Sequence, residues 1–380
     1  MVTARLLAVG LLSASLSASG QTAGLPTSKL VVQAEHTTWP DGSPVESGGL
    51  HYPTDIYVVD ANGKHIRSLT HDAPTNYLVG RLPGGRRFLY ESVPNDQMPA
   101  GRSRIFSINA DGSGRRQLAS GKARLLPTLS PGGHWILFAR GRWPCWLYVM
   151  RSDGTHETRL AQASFGYYDP PDGLPYEASW SPDAKRIAFV RGFAKHDAYG
   201  SAQNPRSAIY VINIDGTGLR RLTPPRRSVE TTSPAWSPDG HNIAFVEHSC
   251  TATNCFDRHY VMRADGTNVK WLKQLDGTYW FWLPNGRIAY DEGDRSGSID
   301  ADGTGKPQPL PGRIRLGDDL WITSGRSAGF YPVSPDGKWI ALYTGRRNLW
   351  IAHLDGTHRR LVTRKICCSF GSAAVGWAGR

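Results

Sequence analysis

The sequence is short of several features that most proteins of its size use. Its 380 residues include only five cysteines and four methionines, and charged residues make up only 20% of the chain. After the first two dozen residues no apolar run is long enough to span a bilayer, which excludes a polytopic membrane protein. At the same time 39% of the residues are hydrophobic, and this share excludes an intrinsically disordered chain.

Turn-forming and aromatic residues are abundant instead. The chain contains 42 glycines, 26 prolines and 13 tryptophans. This mixture is typical of all-β proteins built from many short strands, and it argues against a long helical protein.

The charge balance is basic, because 44 Lys and Arg residues face 32 Asp and Glu residues and leave a net charge of +12. Such a surface attracts anionic partners at low salt. The basic residues are nevertheless scattered, with pairs such as Arg226-Arg227 and no long basic run. We therefore expect a solvated basic surface and no specific nucleic-acid site.

Residues 1–24 have the pattern of a secretory signal peptide. Arg5 supplies a positive start, residues 6–16 are apolar, and Ala18-Ser19-Gly20 offers small residues for cleavage. The apolar stretch is too short to cross a bilayer. We expect an exported protein, periplasmic or extracellular, without a transmembrane segment once the signal is removed.

The five cysteines predict one disulfide and leave the rest open. Cys250 and Cys255 share one short loop, and an oxidising compartment favours a bridge between them. The pairing of Cys145, Cys367 and Cys368 is undetermined, because an odd count leaves one thiol over. Neither a Cys-x-x-Cys spacing nor a completing His pattern is present, so no metal site is predicted.

One repeat runs through the chain. Its first element is a β-branched or aromatic run, then an Asn-Gly or Asp-Gly turn, then a short basic strand, as in IYVVDANGKHIRSLT and IYVINIDGTGLRRLT. The turn glycines of the seven copies are Gly63, Gly112, Gly154, Gly216, Gly266, Gly303 and Gly356. A second element, as in WSPDAKRIAFVR and WSPDGHNIAFVE, precedes most copies and predicts a tight hairpin turn between two strands. Together they predict four strands per unit, the pattern of a β-propeller blade.

The two ends of the chain supply the strands that the repeat count lacks. KLVVQAE, near the start, has the pattern of a second strand without a first, and SAAVGWAGR, at the end, has the pattern of a first strand alone. Trp377 there takes the place of Trp180 and Trp236 in the other copies. We therefore predict a seven-bladed β-propeller over residues 28–380, closed into a ring by the N- and C-terminal strands. The weak copy at residues 271–310 leaves six or eight blades as alternatives.

These paired motifs resemble the WD-repeat-like repeat of the TolB-type propeller and of the propellers of prolyl-oligopeptidase relatives. The resemblance covers about residues 28–380 and implies the fold. TolB carries an additional N-terminal α/β domain, for which the segment after the signal leaves no room, and the peptidases carry a hydrolase domain that is missing here. The resemblance therefore implies neither a Tol-system role nor peptidase activity.

The long connections between strands are expected on one side of the propeller and the short Asp-Gly turns on the other. Variable loops on a rigid scaffold are where binding sites concentrate. The richest loops, SFGYYDPPDGLPYE and GFAKHDAYGSAQNPRS, offer aromatic and charged side chains for protein or sugar recognition. The candidate binding residues are Tyr167, Tyr168, Asp169, Tyr176, Glu177, His196, Asp197, Tyr199 and Arg206. Packing of the tyrosines onto the propeller is the alternative.

Motifs for catalysis and cofactors are weak. Ser327 lies in a G-x-S-x-G string, but a strand rather than a helix is expected after it, so it is not predicted as a nucleophile. Asp300-Ala-Asp302-Gly303 resembles the start of a calcium loop without the distal Glu, and the turn explains all its copies. The glycines lie in turns between strands rather than before helices, and no nucleotide or other cofactor is expected.

Two functions follow from this pattern. The leading hypothesis is a non-catalytic exported scaffold that binds a protein or a cell-envelope polymer through its long-loop face, with an undetermined oligomeric state. The alternative is a propeller hydrolase or lyase acting on a carbohydrate or acidic polymer, with its acid and base drawn from the same loops, since a fold alone does not decide an activity.

Overall fold

The structure is a computed structural model, and it describes most of the repeat elements. The described residues are 29–35, 54–70, 75–93, 103–121, 125–141, 145–163, 178–193, 195–196, 202–203, 206–251, 253–275, 279–283, 285–291, 297–304, 306–308, 320–321, 338–344, 348–353, 358, 360–363 and 375–378. Within them the chain divides into two compact units, one of residues 1–120 with 310–380 and one of residues 121–309. No helix that could span a membrane is found in this described part of the chain.

The elements are almost all strands. The first seven are β1 (Lys29–Glu35), β2 (Thr54–Asp60), β3 (Arg67–Ser68), β4 (Thr75–Arg81), β5 (Arg87–Val93), β6 (Ser103–Asn109) and β7 (Arg116–Gly121). The second unit holds β8 (Thr128–Leu129), β9 (Trp135–Arg140), β10 (Cys145–Arg151), β11 (Thr158–Ala163), β12 (Ala178–Trp180), β13 (Arg186–Gly192), β14 (Lys195–His196), β15 (Ala202–Gln203), β16 (Ser207–Asn213), β17 (Arg220–Arg221), β18 (Val229–Trp236), β19 (Asn242–Cys250), β20 (Cys255–Arg263), β21 (Lys270–Trp271), β22 (Tyr279–Trp282), β23 (Arg287–Asp291) and β24 (Gly297–Asp300). The last five are β25 (Leu320–Trp321), β26 (Trp339–Thr344), β27 (Asn348–His353), β28 (Arg360–Thr363) and β29 (Val375–Ala378). Two single-turn 3-10 segments, Pro131–Gly133 and Lys273–Leu275, complete the described elements.

The first unit contains three four-stranded sheets. Sheet 1 has the strand order β29-β1-β2-β3, sheet 2 the order β4-β5-β6-β7 and sheet 7 the order β25-β26-β27-β28. In sheet 1, β29 pairs antiparallel with β1, so that Leu30 faces Trp377 and Val32 faces Val375. The last described strand of the chain therefore lies beside the first one in the same sheet.

The second unit contains four larger sheets and a small ribbon. Sheet 3 is β11-β10-β9-β8, sheet 4 is β12-β13-β16-β17, sheet 5 is β18-β19-β20-β21, sheet 6 is β22-β23-β24, and β14 pairs with β15. Sheet 6 has three named strands because an isolated antiparallel bridge between Ser298 and Gln308 takes the fourth position. This is the segment in which the sequence repeat is weakest.

The apolar core lies between successive sheets of each unit. Leu30 and Val31 are neighbours on β1 and point to opposite faces, and they belong to two different clusters. Leu30 packs with Trp339 and Ile351 of sheet 7, whereas Val31 packs in the cluster of sheet 2. A strand covered on both faces needs a continuous apolar run rather than alternation, which explains why the IAF- and ILF-type segments of β9 and β13 are buried throughout.

The repeated tryptophans have the structural role expected of them. Trp180 of β12 is 5% exposed and Trp236 of β18 is 7% exposed, and each packs in the core between two sheets. The Trp180 indole N–H also donates to Thr128 Oγ1 of the preceding sheet at 3.3 Å. For Trp377 the structure describes the main-chain pairing alone.

Candidate functional site

Most residues of the predicted binding loops lie outside the described part of the chain. These are Tyr167, Tyr168, Asp169, Tyr176, Glu177, Asp197 and Tyr199. The main chain of His196 lies in β14, where it pairs with Ala202. Arg206 is exposed, its carbonyl accepts the Phe193 N–H at 2.8 Å, and it forms a parallel bridge with Val229.

Each sheet has two unlike edges. The turns between the first and second strands and between the third and fourth strands are short, and they lie at one edge, here called the turn edge. The connections between the second and third strands, and those between sheets, leave from the opposite edge, here called the long-connection edge. Antiparallel order produces this separation, because alternate connections leave from opposite ends of the strands.

The Asp-Gly turns at the turn edge are closed by their own carboxylates. In five of them the Asp Oδ1 accepts from both the main-chain N–H and the hydroxyl of the residue two positions later, at 2.6–2.9 Å. These aspartates are Asp111, Asp153, Asp215, Asp265 and Asp302. The hydrogen bonds from Thr217 hold the pKa of Asp215 below its ordinary value, although a small desolvation opposes them. The carboxylates therefore have a structural use in the turns, which explains their repetition without calcium.

Exposed aromatic side chains concentrate toward the long-connection edge of the second unit. Trp146 near the start of β10, Phe193 just after β13 and Phe256 near the start of β20 are 37%, 36% and 45% exposed. Trp271, the last residue of β21, is 46% exposed. The other large hydrophobic side chains that are exposed among the described residues are aliphatic, and they occupy Gly-containing turns at the opposite edge: Ile66, Leu219 and Val269.

Cations accompany three of these aromatics. The Arg159 guanidinium lies 4.5 Å from the Trp146 ring centre, and Arg258 lies 5.5 Å from that of Trp271. Arg191 lies 5.9 Å from the ring centre of Phe193. A flat apolar face beside a positive group suits a ligand that carries both apolar surface and negative charge.

A buried polar network lies at the long-connection edge of the first unit. Asp55 is 8% exposed, and its Oδ1 accepts from Thr70 Oγ1 at 2.7 Å and from the Asn76 amide at 3.0 Å. Thr54 Oγ1 donates to the Asn76 carbonyl at 2.7 Å, and Gln33 Oε1 accepts the Leu78 N–H at 2.9 Å. This network ties sheet 1 to sheet 2 and uses its carboxylate internally.

A buried carboxylate in the second unit has a similar use. Glu247 of β19 is 6% exposed and pairs with Arg226, whose Nη2 lies 2.7 Å from the carboxylate. Burial raises the pKa of the neighbouring Tyr260 hydroxyl, and the Glu247 charge adds to that effect. The pair anchors the connection before β18 to the central strand of sheet 5.

The tip of the β19–β20 hairpin brings together four side chains that can do chemistry. Cys250 and Cys255 face each other across the strands and are joined by a disulfide, with their Cα atoms 4.0 Å apart. His248 and Asp257 face each other two residues further from the tip, and His248 Nδ1 lies 2.6 Å from Asp257 Oδ1. Since strand side chains alternate between faces, all four lie on one face of the hairpin.

The same cluster has the donor atoms of a small metal site. The ligand atoms of His248, Cys250 and Cys255 lie within 4.8 Å of one another. Both sulfurs are engaged in the disulfide, and a metal would require thiolates. In this state the cluster does not fit a metal.

Of the remaining cysteines, Cys145 is described. It is a free, buried thiol, and burial raises its pKa to about 12, which makes it inert as a nucleophile at neutral pH. Cys367, Cys368 and Ser327 lie outside the described residues.

The sequence predicted the bridge between Cys250 and Cys255 but did not indicate the neighbouring His248 and Asp257 or the exposed aromatics. The spacings His248-x-Cys250 and Cys255-x-Asp257 were the available signal, because a two-residue period places each pair on one face of a strand. The strand register, which brings the two pairs together, had no such signal.

Comparison with known proteins gives distant relatives. No family model matches the chain. An uncharacterized protein of Agrobacterium fabrum is 27% identical over 196 residues, which are 51% of this chain and 61% of that protein. A TolB homolog of Protochlamydia amoebophila is 27% identical over 203 residues, which are 52% of this chain and 41% of the relative. The chain thus matches about half the length of these relatives.

Among solved structures, an oligogalacturonate lyase in complex with manganese superposes with a TM-score of 0.53 at 13% identity. The superposition covers 82% of this chain and 81% of the lyase, and at this identity it shows the fold alone. The successive antiparallel sheets and the repeated Trp and Asp-Gly positions show a β-propeller, and the likeness to a TolB homolog supports a propeller of the TolB type.

Proposed function

We propose that this chain is a non-catalytic binding or scaffold protein that recognises a protein or a cell-envelope polymer through its long-connection edge. The observation that carries the proposal is the set of exposed aromatics at that edge in the second unit: Trp146, Phe193 and Phe256. The loops that hold the sequence-predicted residues, from Tyr167 to Arg206, leave from the same edge of sheets 3 and 4 and are part of the proposed surface.

The distribution of exposed apolar side chains supports recognition. Single exposed hydrophobics are normal on a protein surface. Here, however, three of the four exposed aromatics lie at one edge, whereas the exposed aliphatics lie in the turns of the other. Aromatic side chains offer large contact area at low conformational cost, and they dominate binding energy in many interfaces.

The state of the described carboxylates also favours binding over acid–base catalysis. A general acid at neutral pH needs a raised carboxyl pKa. Each described carboxyl group with a shifted pKa has it lowered, as in Asp183 and Asp239 of the Ser-Pro-Asp turns. At the long-connection edge, Asp55 and Glu247 are already engaged by partners within the protein.

The test combines binding with turnover. Purified chain is titrated against isolated cell envelopes, with and without prior protease treatment, and against polygalacturonate as a soluble acidic polymer. We expect saturable binding without release of products, and loss of binding after protease treatment identifies a protein partner. Release of unsaturated sugar products at enzymatic rates would contradict the proposal and support the lyase alternative.

Two matched variants locate the surface. Replacing Trp146, Phe193 and Phe256 together by Ala should weaken binding by at least about tenfold, since hot-spot aromatics contribute about 2 kcal/mol or more each. Replacing the exposed aliphatics Ile66, Leu219 and Val269 by Ala should leave binding unchanged. Equal binding by both variants would contradict the assignment of the surface.

We also propose the finer architecture that the repeat predicts. The seven larger sheets of the described residues correspond to seven blades of a single domain spanning residues 28–380. The pairing of β29 with β1 supports ring closure through the two termini. Residues 1–24 act as a secretory signal in this proposal and place the protein in the periplasm or outside the cell.

A further inference from the structure

The disulfide at the tip of the β19–β20 hairpin has unusual surroundings for a structural bridge. Cys250 and Cys255 are both exposed. The two strands already pair over nine registered positions, from Asn242 opposite Arg263 to the cysteines themselves. The bridge closes a loop with a sequence separation of only five residues, and short loops gain least from cross-linking. The disulfide therefore adds little to the stability of a hairpin that is already paired.

A histidine is in contact with one of the two sulfurs. His248 Nε2 lies 3.3 Å from Cys250 Sγ. The other ring nitrogen, Nδ1, lies 2.6 Å from Asp257 Oδ1. With Nδ1–H donating to the carboxylate, Nε2 is directed at the sulfur. A sulfur, a ring that can carry its proton and a carboxylate that orients the ring form the arrangement that activates a nucleophile.

We propose that Cys250–Cys255 is a redox-active disulfide that exchanges with the dithiols of other proteins. His248 is the catalytic acid and base for Cys250, and Asp257 is the positioning residue that holds the His248 ring. The site lies at the same edge as the proposed binding surface, and Phe256 of that surface stands between Cys255 and Asp257 on β20. The exchange reaction does not depend on the binding, and the binding does not depend on the exchange.

The exchange balances in two steps. The His248 ring starts protonated on both nitrogens. A thiolate of the partner dithiol attacks Cys255 Sγ, the S–S bond breaks, and Cys250 leaves with the electron pair and takes the proton from His248 Nε2. The second partner thiol gives its proton to His248 Nε2 and attacks the partner's own sulfur in the mixed disulfide. Cys255 leaves as a thiolate and takes a proton from water, which replaces the one released when the first partner thiol ionised. The partner is oxidised to a disulfide, and Cys250 and Cys255 gain two electrons and two protons.

The geometry also sets the direction of attack. His248 contacts Cys250 and thereby makes Cys250 the better leaving thiolate. The external thiolate is therefore directed to Cys255. In the reverse reaction, His248 takes the proton of the Cys250 thiol, and Cys250 becomes the attacking sulfur.

The test measures exchange on the whole purified chain. Oxidised protein is mixed with dithiothreitol in the presence of a metal chelator, the reaction is quenched with acid, and free thiols are alkylated and assigned to Cys250 and Cys255 by peptide mass spectrometry. The rate is recorded from about pH 5 to pH 9. His248→Gln should slow the exchange at least about tenfold near neutral pH and flatten the pH profile.

Two further variants keep the test decisive. Asp257→Asn should slow the exchange less and should shift the pH profile, an effect that loss of a purely structural contact would not produce. His241→Gln replaces an exposed histidine in a turn without a neighbouring cysteine and should leave the rate unchanged. Circular dichroism checks that each variant is folded.

Two results would overturn the proposal. One is an equal rate for the parent and the His248→Gln and Asp257→Asn variants at every pH. The other is a bond that dithiothreitol reduces only after the protein is unfolded, because this would show a structural staple.

Discussion

At the residue scale, the carboxylate of each Ser-Pro-Asp turn makes a small contribution to the stability of the fold, and this contribution recurs in successive repeats. Asp239 Oδ1 accepts from Ser237 Oγ at 2.5 Å and from the His241 N–H at 2.9 Å. Desolvation raises the pKa of Asp239, but these hydrogen bonds and the His241 charge outweigh it and lower the pKa below its ordinary value of 3.8. Asp183 has the same arrangement with Ser181 and Lys185.

The sign of this shift predicts acid sensitivity. Because the folded pKa is lower than the unfolded one, the stabilisation is complete at pH values above the ordinary Asp value and is lost as the pH falls through the folded value. We expect a melting temperature that is level near neutral pH and falls below about pH 4. In the Asp183→Asn/Asp239→Asn variant, which keeps the acceptor oxygens but does not titrate there, the fall should be shallower. If calorimetric scans show the same fall of melting temperature with pH in the variant and the parent, these two aspartates are not the source of the acid sensitivity.

A second residue-scale prediction concerns the repeated tryptophan. Trp236 is buried with Ile243 and Phe245, and the Arg186 guanidinium lies 4.7 Å from its ring centre. Trp236→Ala should lower the free energy of unfolding by about 3–5 kcal/mol, because it removes a large side chain and leaves a cavity. Urea denaturation measures the change. The control Trp271→Ala removes a half-exposed ring and should cost under about 1 kcal/mol; equal costs for the two would contradict the core assignment.

The sequence predicted these roles to different extents. Trp180 and Trp236 were identifiable because the same position in successive repeats fills the same gap between sheets. The contact of His248 with Cys250 was not, since it depends on side-chain orientation at a hairpin tip. The Arg226–Glu247 ion pair was not predicted either, because it joins a residue of the connection before β18 to a residue of β19 without a local motif.

At the element scale, two turns of the first unit differ in how closely a neighbouring sheet approaches them. Gly63, in the turn between β2 and β3, has φ +80°, and a Cβ there would lie 1.9 Å from the Val362 carbonyl oxygen of sheet 7. Gly84, between β4 and β5, has φ +81° with nothing within 4 Å of the same position. The two glycines share one backbone conformation and differ in their neighbours.

This pair separates backbone strain from packing. Gly84→Ala should destabilise by about 1–2 kcal/mol, the cost of a left-handed conformation for a residue with a Cβ. Gly63→Ala should cost clearly more, because the turn and β28 must move apart. Thermal and urea melts of both variants measure the difference. Similar melting of the two would mean that the turn between β2 and β3 is not packed against sheet 7.

The regular strands of the repeat were largely predictable from the sequence, whereas the irregular pairings between them were not. Continuous apolar runs bounded by Pro-Asp-Gly and Asp-Gly signals mark second and third strands such as β13 and β16. The β14–β15 ribbon lies in a loop where no alternating pattern exists. The bridge from Ser298 to Gln308 replaces a strand in sheet 6, and the proline residues there leave no apolar run to mark it.

At the scale of the whole molecule, sheet 1 depends on both ends of the chain. β29 supplies the strand beside β1, and Trp377 faces Leu30 in that pair. Deletion of residues 371–380 would leave β1 as an open edge and uncover the apolar side chains of sheet 1.

We expect this deletion to lower the melting temperature and to enlarge the hydrodynamic radius, measured by calorimetry and size-exclusion chromatography. Removal of residues 1–24 is the control, because they precede β1, and it should change neither quantity. A deletion variant as compact and heat-resistant as the parent would contradict the terminal pairing and the closed ring with it.

The pairing of β1 with β29 also constrains the order in which the molecule can be made. Leu30 and Trp377 are far apart in the sequence but face each other in sheet 1. During synthesis β1 therefore stays unpaired on one side until β29 has been made. Loop closure over such a separation is slow, and a sheet edge left open for that time invites pairing with other chains. We therefore expect the yield of folded protein to depend on how well β1 is shielded until β29 has been synthesised.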